Sequence, residues 1–127
     1  MSREQAVLWL AEAVMFTAQF CFLRAFWLRK RDNRRHQQWG KRGAACVLLG
    51  LLTLEILMRG AGWEFPVRSE TMLRWHVGIS IGSFLLLVLM VVTGMVRIRR
   101  VHVRLYLLFL PCFAASIVTS FFAFQLW

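Results

Sequence analysis

Three side chains able to carry a proton lie inside long apolar segments of this 127-residue chain, namely Glu12, Glu55 and His76. Ionisable groups are costly within a membrane and often mark an ion, proton or metal site. A methionine lies one helical turn from each of them, at Met15, Met58 and Met72. Imidazole and thioether ligands suit Cu(I), while carboxylates suit a supporting or proton-accepting role. These six residues are the candidate metal or proton site.

The same residues also have a purely structural explanation, which is the simplest one. Glu55 and Arg59 are four residues apart and can form a local ion pair. Glu12 can be protonated and hydrogen-bonded between helices, and His76 lies near a predicted membrane surface. Methionine commonly fills gaps in a core. The structural explanation, a proton site and a copper site therefore remain three alternatives.

Apolar and basic residues are separated along the chain: 59% of the residues are hydrophobic, yet the formal net charge is +10. About 20 apolar residues cross a bilayer core about 30 Å thick. Four segments meet this requirement, at about 6–27, 43–62, 73–96 and 103–127. Helices are expected because a chain in lipid must satisfy its own backbone hydrogen bonds. The sequence thus predicts an all-α integral membrane four-helix bundle, with residues 1–127 as a single transmembrane domain.

Basic residues predict the orientation. Seven Lys and Arg residues lie in 29–42 and four in 97–104, and loops rich in these residues face the cytoplasm. Both termini are therefore expected outside, with two basic cytoplasmic loops. At 1.5 Å per residue, Glu12, Glu55 and His76 then lie roughly 22, 18 and 25 Å from the inner surface. The dense basic run follows the first span, so we expect that span to be retained and not cleaved as a signal peptide.

The basic loops are explained by topology and by attraction to anionic lipid, so nucleic acid is not an expected partner. Contacts with lipid headgroups or with the edge of a cofactor are predicted for six residues at this surface: His36, His102, Arg34, Arg35, Arg99 and Arg100. A haem held by the two histidines is a weaker alternative than copper. Paired axial imidazoles must face each other at matching depth, and these two lie among arginines at the membrane edge.

Packing features complete the pattern. Three cysteines within the spans are expected to be small packing residues, because an odd number argues against a disulfide framework. Gly78 and Gly82, four residues apart, predict a face of the third span that a neighbouring helix approaches closely. Neither a phosphate-binding glycine loop nor a nucleophile with a base is present, so the chain is not expected to be an enzyme.

Three histidines open successive spans in the stretches "RRHQQWGKRGAACVLLG", "RWHVGISIGSFLLLVL" and "RIRRVHVRLYLLFLP". Over residues from about 34 to 120, this pattern resembles the CtaM/YozB-like family of small bacterial membrane proteins, a domain of unknown function. The family includes a maturation factor for haem–copper terminal oxidases. The corresponding positions are His36, His76 and His102. The resemblance implies a multi-pass protein of the bacterial inner membrane that helps to assemble a respiratory oxidase.

Three functions are therefore considered. The first is an assembly, maturation or accessory factor for a respiratory complex, acting by helix contacts and by copper or proton handling in the outer leaflet. The second is a small resident subunit of a larger electron-transfer complex. The third is a small ion or proton carrier, which the absence of an obvious internal repeat makes the weakest. The expected partners are the lipid bilayer and a larger integral membrane complex.

Overall fold

The computed structural model describes residues 1–127, and most of them are helical. Its elements are α1 (Arg3–Leu28), α2 (Asn33–Glu55) with a π-helical continuation (Ile56–Gly60), α3 (Glu70–Met95) and α4 (Arg99–Ala123). The structure contains no β-strand beyond an isolated bridge between Val67 and Phe124. All four helices are long and apolar enough to cross a membrane. The prediction of four membrane-spanning helices is confirmed at this level.

The helix boundaries differ from the predicted spans at two places. Helix α2 begins at Asn33 and not near residue 43, because Asp32 caps it by accepting the backbone N–H of Arg35 at 3.1 Å. Most of the basic segment is therefore helical, and residues 29–32 alone connect α1 to α2. Helix α4 ends at Ala123, so residues 124–127, which the predicted last span included, are not helical.

The chain divides into two compact units, Met1–Arg68 with Phe124–Trp127, and Ser69–Ala123. The first unit contains the antiparallel pair α1 and α2, and the second contains the antiparallel pair α3 and α4. Each pair is joined by a short connection, as expected for neighbouring antiparallel helices.

Small residues hold the first pair together. A methyl group at Gly43 of α2 would lie 2.9 Å from the ring of Phe22, and one at Gly50 would lie 2.9 Å from Cε of Met15. These glycines let two side chains of α1 rest on the backbone of α2. Phe22 is accordingly buried.

The C-terminal tail, residues 124–127, packs against the first unit. The backbone N–H of Gln125 donates to the carbonyl of Pro66 at 2.9 Å. The indole N–H of Trp9 donates to the carbonyl of Leu126 at 2.9 Å, and the amide of Gln5 donates to the carbonyl of Gln125 at 3.3 Å. The start of α1, the segment before α3 and the tail therefore lie together.

Large apolar side chains remain exposed along the helices. On α3, for example, Leu85, Leu89 and Val92 are all exposed. A soluble protein of this size rarely exposes contiguous apolar surface on such a scale. A lipid environment accounts for it.

Candidate functional site

A polar cluster joins α3 to α4 in the second unit. Nδ1 of His76 lies 2.9 Å from the carbonyl oxygen of Ser116 and 3.3 Å from Oγ1 of Thr119. One turn further along α3, the hydroxyls of Ser80 and Ser116 are 2.6 Å apart. The cluster lies toward the start of α3 and the end of α4, in apolar segments where polar groups must find partners inside the protein. Thus the two helices are connected by hydrogen bonds as well as by packing.

The bond to Ser116 fixes the chemistry of the His76 ring. A carbonyl oxygen only accepts, so Nδ1 must carry the proton and donate it. In the neutral ring, the lone pair is then on Nε2. Histidines that bind metals usually hold a carbonyl or carboxylate in this way, which orients the opposite nitrogen. The geometry of His76 is therefore compatible with a ligand role and equally with a structural one.

The other two histidines make the same kind of bond at the tight connections. His36, in the first turn of α2, has Nδ1 2.7 Å from the carbonyl oxygen of Ala25 in the last turn of α1. His102, in the first turn of α4, has Nδ1 2.8 Å from the carbonyl oxygen of Met90 in α3. In each helical pair, a histidine of the second helix is thus hydrogen-bonded to the backbone of the first.

This repeated arrangement was not expected from the sequence. A signal for it exists, since a basic residue pair precedes both histidines, in Arg34–Arg35 and in Arg99–Arg100. The basic pair alone suggests that each histidine lies in a loop. The residues at which α2 and α4 begin are needed to place it in a first helical turn. The carbonyls that accept the bonds carry no sequence signature at all.

The first unit holds four of the residues predicted for the metal or proton site. Glu12 is buried on α1, and Met15 covers Gly50. Glu55 forms an ion pair with Arg59 one turn later, and its side chain is 53% exposed. Met58 is exposed in the π-helical continuation of α2. The local ion pair anticipated by the structural explanation is present.

The second unit holds the other two residues. Met72 is exposed near the start of α3, where its backbone N–H donates to the capping hydroxyl of Ser69 at 3.3 Å. His76 bonds α4 as described above. No group of three or more His, Cys, Asp or Glu side chains in the protein is arranged to hold a metal ion. A copper site that includes thioethers, and a proton site, stay predictions.

Around the connection of α1 and α2, guanidinium groups lie beside aromatic rings. The guanidinium carbons of Arg24 and Arg31 lie 4.9 and 4.4 Å from the ring centroid of Trp27. That of Arg42 lies 4.9 Å from the ring of Trp39. Such stacks keep cations beside apolar surface at the level of lipid headgroups. The four arginines predicted to contact headgroups are all exposed, namely Arg34, Arg35, Arg99 and Arg100.

The glycine face of α3 is open. Apart from nearby backbone of its own helix, no atom lies within 4 Å of a methyl group built on Gly78 or Gly82. A shallow groove of about 400 Å³ lies at the Gly78 end of this face, lined by Thr71, Arg74, Trp75, Gly78 and Ile79, and Gly82 lies one turn beyond it. The sequence predicted that a neighbouring helix approaches these glycines closely. Within the second unit, α4 does not do so.

Comparisons with protein family models, with curated proteins and with solved structures found no match to this chain.

Proposed function

We propose that this chain is an accessory protein for the assembly or maturation of a haem–copper oxidase-type complex, and that it acts through helix contacts without catalysing a reaction. The observation that carries this proposal is the open glycine face of α3. In lipid, helices associate through close packing and polar contacts, and exposed glycines four residues apart permit that approach. The sequence resemblance described above supplies the class of partner.

The proposal includes a location and an orientation. The chain is placed in the bacterial inner membrane as a four-helix bundle, with both termini outside and the basic ends of the helices inside. The eleven basic residues in 29–42 and 97–104 support this orientation. The aromatic and guanidinium stacks at Trp27 and Trp39 support it too, because such pairs suit a headgroup layer.

The test is a deletion strain complemented with variants of the tagged chain. We expect deletion to lower the haem absorbance and oxidase activity of the membranes. The double variant Gly78→Leu/Gly82→Leu should fail to restore them, because two bulky side chains block the approach of a partner helix. Overpacking of about 1.4 kcal/mol corresponds to an association weakened about tenfold.

Gly40→Leu is the matched control. A methyl group at Gly40 of α2 also meets no atom within 4 Å, so this variant gains the same side chain at an equally open helical position. It should restore oxidase activity fully. Normal oxidase in the deletion strain, or full restoration by the double variant, would refute the proposal. Equimolar co-purification with the mature enzyme would instead identify a resident subunit.

A further inference from the structure

We propose that the partner of the α3 groove is a membrane-spanning helix of a different protein, and that this helix carries an Asp or Glu that pairs with Arg74. This inference rests on the proposed function and adds to it the chemistry of the partner. It combines two features of one surface, the open glycines and an arginine that lines the groove one turn before them.

Arg74 is exposed and has no ion pair in the protein. The arginines that form ion pairs are Arg35, with Asp32, and Arg59, with Glu55. Glu70 lies four residues before Arg74 on α3, a spacing that permits a pair. The two side chains nevertheless do not form one within 4.0 Å. The guanidinium of Arg74 is therefore available to an external anion.

The two arginines that precede Arg74 in the sequence have partners within the chain. The guanidinium of Arg68 lies 4.9 Å from the ring centroid of Trp127, and Arg59 is paired with Glu55. Arg74 thus differs from them in presenting its charge at a groove. A helix that packs over the groove would remove water from this charge, which is costly unless an anion accompanies it. A carboxylate on the incoming helix meets that requirement.

The same charge argues against a second copy of this chain as the occupant. Copies inserted with one topology have parallel α3 helices, and a two-fold symmetric contact repeats each residue on both sides. Close packing at Gly78 would then bring Arg74, one turn away, near its own counterpart. Like charges facing each other oppose association. A different protein with a carboxylate at this level avoids the repulsion.

The shape of the groove defines the rest of the match. Gly78 and Gly82 offer no side chain, so a partner backbone can approach them closely. Trp75 and Ile79 form apolar sides, and Thr71 adds a hydroxyl beside Arg74. The partner helix is expected to carry small or apolar residues over the glycines. Its carboxylate should lie roughly one turn from them, at the level of Arg74 near the start of α3.

The experiment uses tagged full-length chain expressed in its own membranes, with haem absorbance of the co-purified oxidase as the readout. Arg74→Glu should lower co-purification about tenfold or more, as a close like-charge contact costs at least 1.4 kcal/mol. Arg74→Lys should retain most of it. Glu70→Gln, which changes a charge one turn away on the same helix, is the matched control and should have no effect.

A charge exchange identifies the pair directly. Ile79→Cys carrying a thiol-linked photoreactive group allows cross-linking across the groove to a partner without a cysteine, and the cross-linked peptide identifies the partner helix. Changing the Asp or Glu of that helix to Arg should restore co-purification with Arg74→Glu and lower it with the unchanged chain. Thermal unfolding of Arg74→Glu and Arg74→Lys in detergent should match that of the unchanged chain, since Arg74 contributes no internal ion pair.

The outcomes separate the two proposals. If Gly78→Leu/Gly82→Leu abolishes co-purification while Arg74→Glu leaves it unchanged, docking of a helix on the glycines is supported and the ion pair with Arg74 is refuted. If neither variant changes co-purification, both the helix contact and the ion pair are refuted. Cross-linking through Ile79→Cys that yields chain dimers would overturn the heterologous partner. Loss of phosphatidylglycerol from purified Arg74→Gln, seen by native mass spectrometry without any rescue by charge exchange, would assign the groove to lipid phosphate.

Discussion

The two helical pairs are held together by different means. In the first pair, Gly43 and Gly50 of α2 let Phe22 and Met15 of α1 rest against the backbone, so shape complementarity dominates. In the second pair, hydroxyl and imidazole groups of α3 and α4 bond to one another around Ser116. Both solutions suit lipid, where close packing and interhelical hydrogen bonds replace the hydrophobic effect as the source of association.

The pairs share a feature at their tight connections. A histidine in the first turn of the second helix donates to a carbonyl of the preceding helix, His36 to Ala25 and His102 to Met90. The two helical pairs pack differently, but the same kind of histidine–carbonyl hydrogen bond joins their helices at the short connection. In both pairs, the connection and the span are thus held by different contacts.

The largest effect is expected from breaking the shape complementarity of the first pair. Gly43→Leu forces a side chain into the ring of Phe22, so the free energy of unfolding should fall by about 2 kcal/mol. Thermal unfolding in detergent measures this. Gly40→Leu on the same helix is the control and should leave the melting temperature unchanged or raised. Equal destabilisation by both variants would mean that packing at Gly43 is not decisive.

Smaller losses of stability are expected from removing the histidine–carbonyl hydrogen bonds, and the two histidines should differ. The carbonyl of Ala25 belongs to the last turn of α1, where intrahelical donors are missing, whereas the carbonyl of Met90 also accepts the hydroxyl of Thr93 at 3.1 Å. His36→Phe should therefore lower the free energy of unfolding by about 1 kcal/mol, and His102→Phe by about half as much. Denaturation in graded SDS compares the two variants. A larger loss for His102→Phe would reverse this ranking.

An effect well below that of His36→Phe is expected for a single polar contact of the second pair. A double-mutant cycle of Ser80→Ala and Ser116→Ala should give a coupling energy of about 0.6 kcal/mol, the average for interhelical hydrogen bonds in membranes. Ser120 provides the control, because its hydroxyl donates to the carbonyl of Ile117 on its own helix at 2.7 Å. The cycle of Ser80→Ala with Ser120→Ala should show no coupling. Coupling of equal size in both cycles would show that the contact itself is not being measured.

Much of the fold was predictable because hydropathy and length act locally along the chain. Four apolar runs of sufficient length predicted four helices, and all four are present. The start of α2 was misplaced by about ten residues, because the basic run was assigned to a loop although Asp32 supplies a helix cap. The end of α4 was extended too far because the tail is as apolar as a span, although it pairs with Pro66 outside the helix.

The candidate site was predicted less completely. Spacing correctly identified that Glu55 and Arg59 share a face and form a pair, because that contact depends on helical periodicity alone. The partners of His76 lie forty or more residues away on α4, and no local pattern points to them. The copper and proton hypotheses for Glu12, Glu55 and His76 remain predictions.

The sequence by itself determined the number of spans, the separation of apolar from basic segments and the local ion pair, because each depends on residues near one another in the chain. The tertiary structure alone decided which glycines are used for packing. Gly43 and Gly50 are covered and Gly78 and Gly82 are open, although all four lie in apolar helices. The physical reason is that close approach depends on which neighbouring helix faces a residue, and only the assembled fold determines this.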